Sequence, residues 1–117
     1  MVDPQEITVL ETEEGYSPFE EWYFSLKDKK LKARILARID RLRDGNFGDW
    51  KSLREGVFEL RITFGAGYRI YFARVENRIV VLLDGGDKRN QQKDIDKAIK
   101  LWEKYKDEIE KFRRGFQ

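Results

Sequence analysis

The apolar positions of the chain follow two periods. Phe19, Trp22, Tyr23 and Leu26 fall at i, i+3, i+4 and i+7, one stripe of an amphipathic helix. Just ahead, Tyr16-Ser-Pro-Phe-Glu20 predicts the helix start. Ser17 can cap it, Pro18 suits its first position, and Glu20 completes an S-x-x-E capping box. A second stripe, Leu31, Ile35, Ile39 and Leu42, follows a capping Asp28 and ends at Gly45, which suits a left-handed C-terminal position. Lys32, Arg34, Arg38 and Arg41 lie largely off that stripe. Two helices joined so closely predict an antiparallel hairpin.

After a loop at Asn46–Trp50 the pattern changes to period two. In 57–64, Phe58, Leu60, Ile62 and Phe64 point one way, and Val57, Glu59, Arg61 and Thr63 the other. Gly65-Ala-Gly67 predicts a turn, Tyr68–Val75 a strand, Glu76-Asn77 a tight turn, and Ile79–Asp84 another strand. Lys51–Leu53 predicts a further short strand, and Glu6–Leu10 one near the start. The helical period then returns: Ile95, Ala98, Trp102, Tyr105, Ile109 and Phe112 line a long helix beginning near Gln91 or Asp94. The order β-α-α-β-β-β-α predicts one α+β domain over residues 1–117. It has an N-terminal strand, a helix hairpin, a three- to four-stranded antiparallel meander and a long last helix, with the helices expected on one sheet face.

Composition narrows the function. Apolar residues make up 40% and aromatics 14% of 117 residues, enough for a single core. No apolar run approaches the roughly 18–20 residues that span a bilayer, and the first residues lack the basic and apolar stretches of a signal peptide. A cytoplasmic protein with no membrane partner is expected. The chain holds no Cys and no His, so the usual zinc ligands are missing and no metal or cofactor is expected. The net charge of +2 is unevenly spread: residues 1–26 hold seven acids and no Lys or Arg, leaving +9 on the remainder. A basic body suits a polyanion bound on one side, and equally a solvated surface of both signs.

The candidate chemistry lies on the strands and at the last strand-to-helix junction. If the polar sides of the two middle strands coincide, Glu59, Arg61, Arg69 and Tyr71 share one exposed concave surface. Arginine offers fork-shaped donors to phosphate oxygens, and tyrosine can stack on an unpaired base. The alternative is an ordinary polar sheet face with cross-strand ion pairs. Gly85-Gly-Asp-Lys-Arg-Asn-Gln91 fits neither a Walker phosphate loop nor a dinucleotide fingerprint. What remains is a permissive glycine pair followed by cationic donors near a helix N-terminus, or simply turn chemistry.

Taken in order, several stretches resemble the RelE/ParE toxin superfamily of type II toxin–antitoxin modules, nearest its HigB-like branch of addiction-module killer proteins. They are Phe19-Glu-Glu-Trp22, Ala33-Arg-Ile35, Arg41-Leu-Arg-Asp-Gly-Asn-Phe-Gly-Asp49, Leu53-Arg-Glu-Gly-Val-Phe-Glu-Leu-Arg-Ile62, Gly67-Tyr-Arg-Ile-Tyr-Phe72 and the run from Leu83 to Ala98. The resemblance implies a metal-independent ribonuclease that cuts messenger RNA, usually on the ribosome. It also implies neutralisation by a cognate antitoxin, expected to be of helix-turn-helix type. In such enzymes the 2′-hydroxyl of the substrate attacks the adjacent phosphate. That needs a proton acceptor, a proton donor and cations around the phosphorane.

By position, Arg69 matches the family's phosphate-binding arginine after a Gly-Tyr pair. Lys88 and Arg89 match its basic loop after the last strand, and Arg61 a recurrent strand arginine. The expected catalytic set is Arg69, Lys88, Glu59 and Arg61, with Arg89, Tyr71, Gln91 and Lys93 binding RNA. This sequence departs from the pattern in three places. Val57 and Glu59 stand where RelE carries lysines, Tyr105 falls on a core stripe, and the histidines of the HigB type are missing. The resemblance also admits gyrase inhibition in the ParE manner, or a non-catalytic module that binds RNA or an antitoxin.

Overall fold

The computed structural model describes residues 3–114. Strand β1 (Glu6–Val9) leads through a turn into α1 (Pro18–Ser25) and α2 (Lys29–Arg43). Strands β2 (Trp50–Ser52), β3 (Val57–Ile62), β4 (Tyr68–Val75) and β5 (Ile79–Asp87) follow, and a 3-10 turn at Lys88–Asn90 runs into α3 (Gln91–Arg114). Local chemistry sets the boundaries. Ser17 Oγ accepts from the Glu20 amide at 3.2 Å. Asp28 Oδ1 accepts from the amides of Lys30 and Leu31 at 2.9 and 3.2 Å. Gly45 closes α2 with φ 86°, and Glu76 and Asn77 turn the β4–β5 hairpin with φ 54° and 57°.

The five strands form one sheet in the order β1-β5-β4-β3-β2, parallel between β1 and β5 and antiparallel elsewhere. The helices cover both faces, not one. On one face α1 and α2 pack Phe19, Leu31, Ile35 and Leu42 against Leu60, Ile70, Phe72 and Leu82. On the other, α3 packs Ile95, Ala98, Ile99 and Trp102 against Val57, Ala73, Val75, Val81 and Leu83. Each fully buried aliphatic or aromatic side chain here stabilises by roughly 1.5–3 kcal/mol. Strand β4 shows why the single-face expectation fails. Ile70 and Phe72 serve one core while Tyr71, Ala73 and Val75 serve the other, so it is a central strand buried on both sides.

The face under α3 changes character along the strands. It is apolar through Val57, Ala73, Val81 and Leu83. Next comes a row in which Glu59 pairs with Tyr71 and Tyr71 with Asp84, and after it a row of Arg61, Arg69 and Gly86. Helix α3 begins over this boundary and covers the apolar end, which leaves the arginine row at its open margin.

The junction is not a glycine loop. Gly85 and Gly86 are buried inside β5. A Cβ on Gly85 would enter the Trp22 indole of α1, and one on Gly86 would enter the Asp94 carboxylate of α3. The pair lets two helices approach the strand from opposite faces.

Candidate functional site

Glu59 is completely buried, and three side chains converge on it. Arg61 Nε donates to Oε2 at 3.1 Å, Gln91 Nε2 donates to Oε1 at 2.9 Å, and Arg69 Nε lies 3.5 Å from Oε1. Arg61 and Arg69 are directly opposed across β3 and β4. Like charges in that register repel. The carboxylate beneath them supplies the compensation, and Asp49 adds a second acid 3.8 Å from Arg61 Nη1. Gln91 reaches Glu59 because the 3-10 turn delivers the first residue of α3 to the polar row.

The arginines differ in their freedom. The Arg61 side chain is 42% exposed and well partnered, while that of Arg69 is 13% exposed. Arg69 Nε and Nη1 are buried and make no hydrogen bond. A buried donor without an acceptor costs about 1–3 kcal/mol. The Lys88 amide donates to the Gly67 carbonyl at 3.3 Å, which ties the 3-10 turn to the β3–β4 hairpin, and the residue is exposed.

Several expected site residues stand elsewhere or act otherwise. Tyr71 has no exposed surface and cannot stack on a base. Burial, then the charge of Glu59, raises its pKa above the ordinary phenol value, so the hydroxyl stays protonated. Glu59 is enclosed by its three partners and positions the arginines; it is not open to a substrate hydroxyl. Gln91 is likewise engaged inside the cluster. Arg89 folds back on Asp87, Nη2 to Oδ2 at 2.8 Å, and this hydrogen bond holds the Asp87 carboxyl below its usual range. Lys93 is exposed on the first turn of α3. The concave polar surface expected from strand alternation is therefore a buried carboxylate under two guanidiniums.

Two residues of consequence carry no obvious signal in the sequence. Asp94 packs on Gly86, which stands opposite Arg69. Burial, reinforced by Asp84, raises its pKa above the usual carboxylate value. In sequence it is one acid among many on a charged helix. Arg38 is buried under the loop that leads into β2. Its Nη2 donates to the carbonyls of Phe47, Asp49 and Arg61 at 3.1, 3.2 and 3.3 Å. Its spacing, three after Ile35 and four before Leu42, in fact puts it on the α2 stripe, and only its charge makes it look like a surface residue. A Cβ on Gly48 would stand 2.5 Å from Arg38 Nη1, so the glycine accommodates the guanidinium.

Among the described residues no group of three or more carboxylates is gathered to hold a metal ion, and no helix is long and apolar enough to cross a membrane. Fold and site together define a small α+β protein with an arginine cluster anchored on a buried carboxylate at one margin of its sheet. The chain belongs to the phage-derived Gp49-like protein family (DUF891), whose model matches residues 22–111. It is 52% identical over 80 residues to an uncharacterized protein of Haemophilus influenzae, a match covering 68% of this chain and 81% of that one. Among solved structures it is similar to the RelBE2 toxin–antitoxin complex from Mycobacterium tuberculosis. That similarity has 19% identity and a TM-score of 0.45, and covers 75% of this chain and 95% of that one.

Proposed function

We propose that this protein is the toxin of a toxin–antitoxin pair and acts as an endoribonuclease on messenger RNA, on the ribosome, in the HigB-like manner. The observation that carries the reading is the arginine pair: Arg61 and Arg69 stand opposite each other across β3 and β4, both against the buried Glu59, with the Arg61 side chain 42% and the Arg69 side chain 13% exposed at the margin of the sheet. This is a donor set for a phosphodiester and its more highly charged phosphorane. In the proposed reaction the 2′-oxygen attacks phosphorus and the bond to the 5′-oxygen breaks, giving a cyclic phosphate and a 5′-hydroxyl. Arg69 and Arg61 stabilise the equatorial charge. Lys88 gives a proton to the leaving oxygen. Asp94 replaces Glu59 as the acceptor of the 2′-hydroxyl proton, because Glu59 is enclosed whereas Asp94 is half-buried with a raised pKa. The cognate antitoxin would silence the site, and the cytoplasm is the compartment where this substrate is met.

Primer extension on a defined messenger RNA tests the reading, using purified protein with EDTA, with and without translating ribosomes. Cuts that need ribosomes and vanish in Arg69→Ala are expected. Intact RNA in both conditions would overturn the enzymatic reading and leave gyrase inhibition or simple binding.

A further inference from the structure

Helix α2 buries one stripe against the sheet and leaves a one-sided charge on the rest. Its 15 residues include seven Lys or Arg and a single acid. Arg43 is paired with that acid, Asp40; Arg38 is buried; and Lys32 lies 4.8 Å over the Tyr23 ring. Lys29, Lys30, Arg34 and Arg41 remain exposed, and among the described residues no carboxylate forms an ion pair with any of them. Three of the four share a flank. Lys30, Arg34 and Arg41 stand at i, i+4 and i+11, with Ala37 completing the stripe. At 1.5 Å per residue the stripe is about 16 Å long. Arg34 ties it to the margin of the sheet. Its Nη1 donates to the Thr63 carbonyl at 3.0 Å, and its guanidinium lies 5.6 Å from the centre of the Phe64 ring. Thr63 and Phe64 in turn wall a cleft of about 180 Å³ that Arg61 and Arg69 also line.

We propose that the Lys30–Arg34–Arg41 stripe is a phosphate track, which takes a single-stranded RNA onward from the arginine cluster along the flank of α2. The inference deepens the nuclease reading and rests on it for the strand's position at Arg61 and Arg69. Charge complementarity selects the occupant. Like charges at i and i+4 destabilise a helix, and Lys30 and Arg34 are such a pair with no acid to offset them. A chain of phosphates supplies the missing counter-charge along the whole stripe, and the release of its counterions drives binding. The exposed guanidiniums of Arg34 and Arg41 suit phosphate oxygens better than point charges would. A lipid surface fits less well, because membrane-bound helices set apolar side chains beside their cations. This stripe offers only Ala37. The exposed Leu36 lies two residues beyond Arg34, about 200° around the helix.

The test measures the affinity of the full chain for a fluorescent single-stranded 2′-O-methyl RNA, which cannot be cut by attack of its own 2′-oxygen, across a salt series. Each phosphate neutralised on a single strand adds about 0.7 to the slope of log affinity against log salt. The triple variant Lys30→Gln, Arg34→Gln, Arg41→Gln should lower that slope by about 2 and weaken binding roughly a hundredfold at ~0.1 M salt. A second triple variant, Lys29→Gln, Lys100→Gln, Lys111→Gln, removes as much charge from exposed positions off the stripe. It should weaken binding less than about threefold. If loss of the Thr63 contact unfolds the first variant, Lys30→Gln with Arg41→Gln should still lower the slope by about 1.4. An unchanged slope, or equal losses in the two triple variants, would overturn the track. So would anionic phosphatidylserine vesicles binding through the stripe while RNA binding is the same with and without it. Primer extension separates this result from the nuclease reading. Uncut message together with stripe-dependent binding would sink cleavage and leave the stripe as an RNA site. Normal cutting and unchanged affinity in the stripe variant would sink the track alone.

Discussion

Arg38 is buried and Arg69 largely so in the same small sheet protein, and they are treated in opposite ways. Arg38 sits under the β2 loop with the carbonyls of Phe47, Asp49 and Arg61 around its guanidinium. Burial lowers its pKa, yet the guanidinium remains a cation whose charge is spread over peptide dipoles. Arg69 has one carboxylate at 3.5 Å and two nitrogens with no acceptor. A fold selected for stability alone would satisfy both. The contrast separates an arginine that holds a loop from one whose buried donors are left without acceptors.

The sharpest break of this comparison is to remove each guanidinium in turn. Arg38→Met should cost about 3 kcal/mol, since three partly buried carbonyls lose their donor. Its cleavage per folded molecule should stay unchanged. Arg69→Met should cost less than about 1 kcal/mol, because only a long ion pair is lost, while cleavage falls roughly a hundredfold or more. Urea denaturation and primer extension on both variants check the pair. If Arg69→Met proved the more destabilised and Arg38→Met the less active, the assignment of roles would be reversed.

Glu59→Gln sharpens the comparison from beneath. The amide keeps the shape and can still meet Gln91, but Arg61 and Arg69 would then face one another without their shared counter-charge. A loss of about 2 kcal/mol is expected, below that of a fully enclosed pair because Arg61 is partly solvated. Cleavage should fall about tenfold through misplacement of Arg69, with the pH profile keeping its shape. A profile that lost its acidic limb would show Glu59 to be the proton acceptor after all.

Much of this arrangement was legible in the sequence where a local rule decides. The caps at Ser17 and Asp28, the left-handed Gly45 and the Glu76-Asn77 turn follow from neighbours within a few residues. Period two also placed Arg61 and Arg69 on one face. It could not show that the same face turns apolar a few residues away, at Val57 and Ala73, and so receives α3. The burial of Glu59 depends on Gln91, 32 positions on. Gly85 and Gly86 look like turn residues until Trp22 and Asp94 are seen against them. Arg38 has the spacing of the buried α2 stripe but the charge of a surface residue, and the carbonyls of a distant loop and strand are what let it be buried. Contacts far apart in sequence decided each of the features that were missed.

Asp94 gives a smaller effect with a definite sign. Its folded pKa is raised, so the folded state holds the proton more tightly than the unfolded chain does. Stability therefore falls as pH rises from the ordinary carboxylate range through the raised value, and the penalty is constant above it. Asp94→Asn should stabilise the protein at pH 7 by a few tenths of a kcal/mol, after discounting for solvent screening. The gain should vanish in acid, where the parent carboxyl is also neutral. If Asp94 accepts the 2′-hydroxyl proton, the same variant loses the acidic limb of the pH–rate profile. Unfolding curves and cleavage rates at matched pH values separate the two effects. A variant with the parent profile would remove Asp94 from the reaction.

Tyr71→Phe is expected to change least, and for that reason it is the finest test of what the unpaired groups mean. The Tyr71 hydroxyl, like the two Arg69 nitrogens, is buried without a hydrogen-bond partner. If every unsatisfied group near Glu59 were kept for substrate, deleting this oxygen would cost activity as deleting Arg69 does. Tyr71 has no surface at all, however, and its ring belongs to the core under α3. Removing a buried hydroxyl that bonds to nothing relieves a desolvation cost, so stability should rise by up to about 1 kcal/mol. Cleavage should stay within about twofold, because no reacting atom can reach it. A tenfold loss of cleavage in a well-folded Tyr71→Phe would mean that the hydroxyl meets the phosphate when substrate binds. The site would then extend beneath Arg69, to the phenol as well as the guanidiniums.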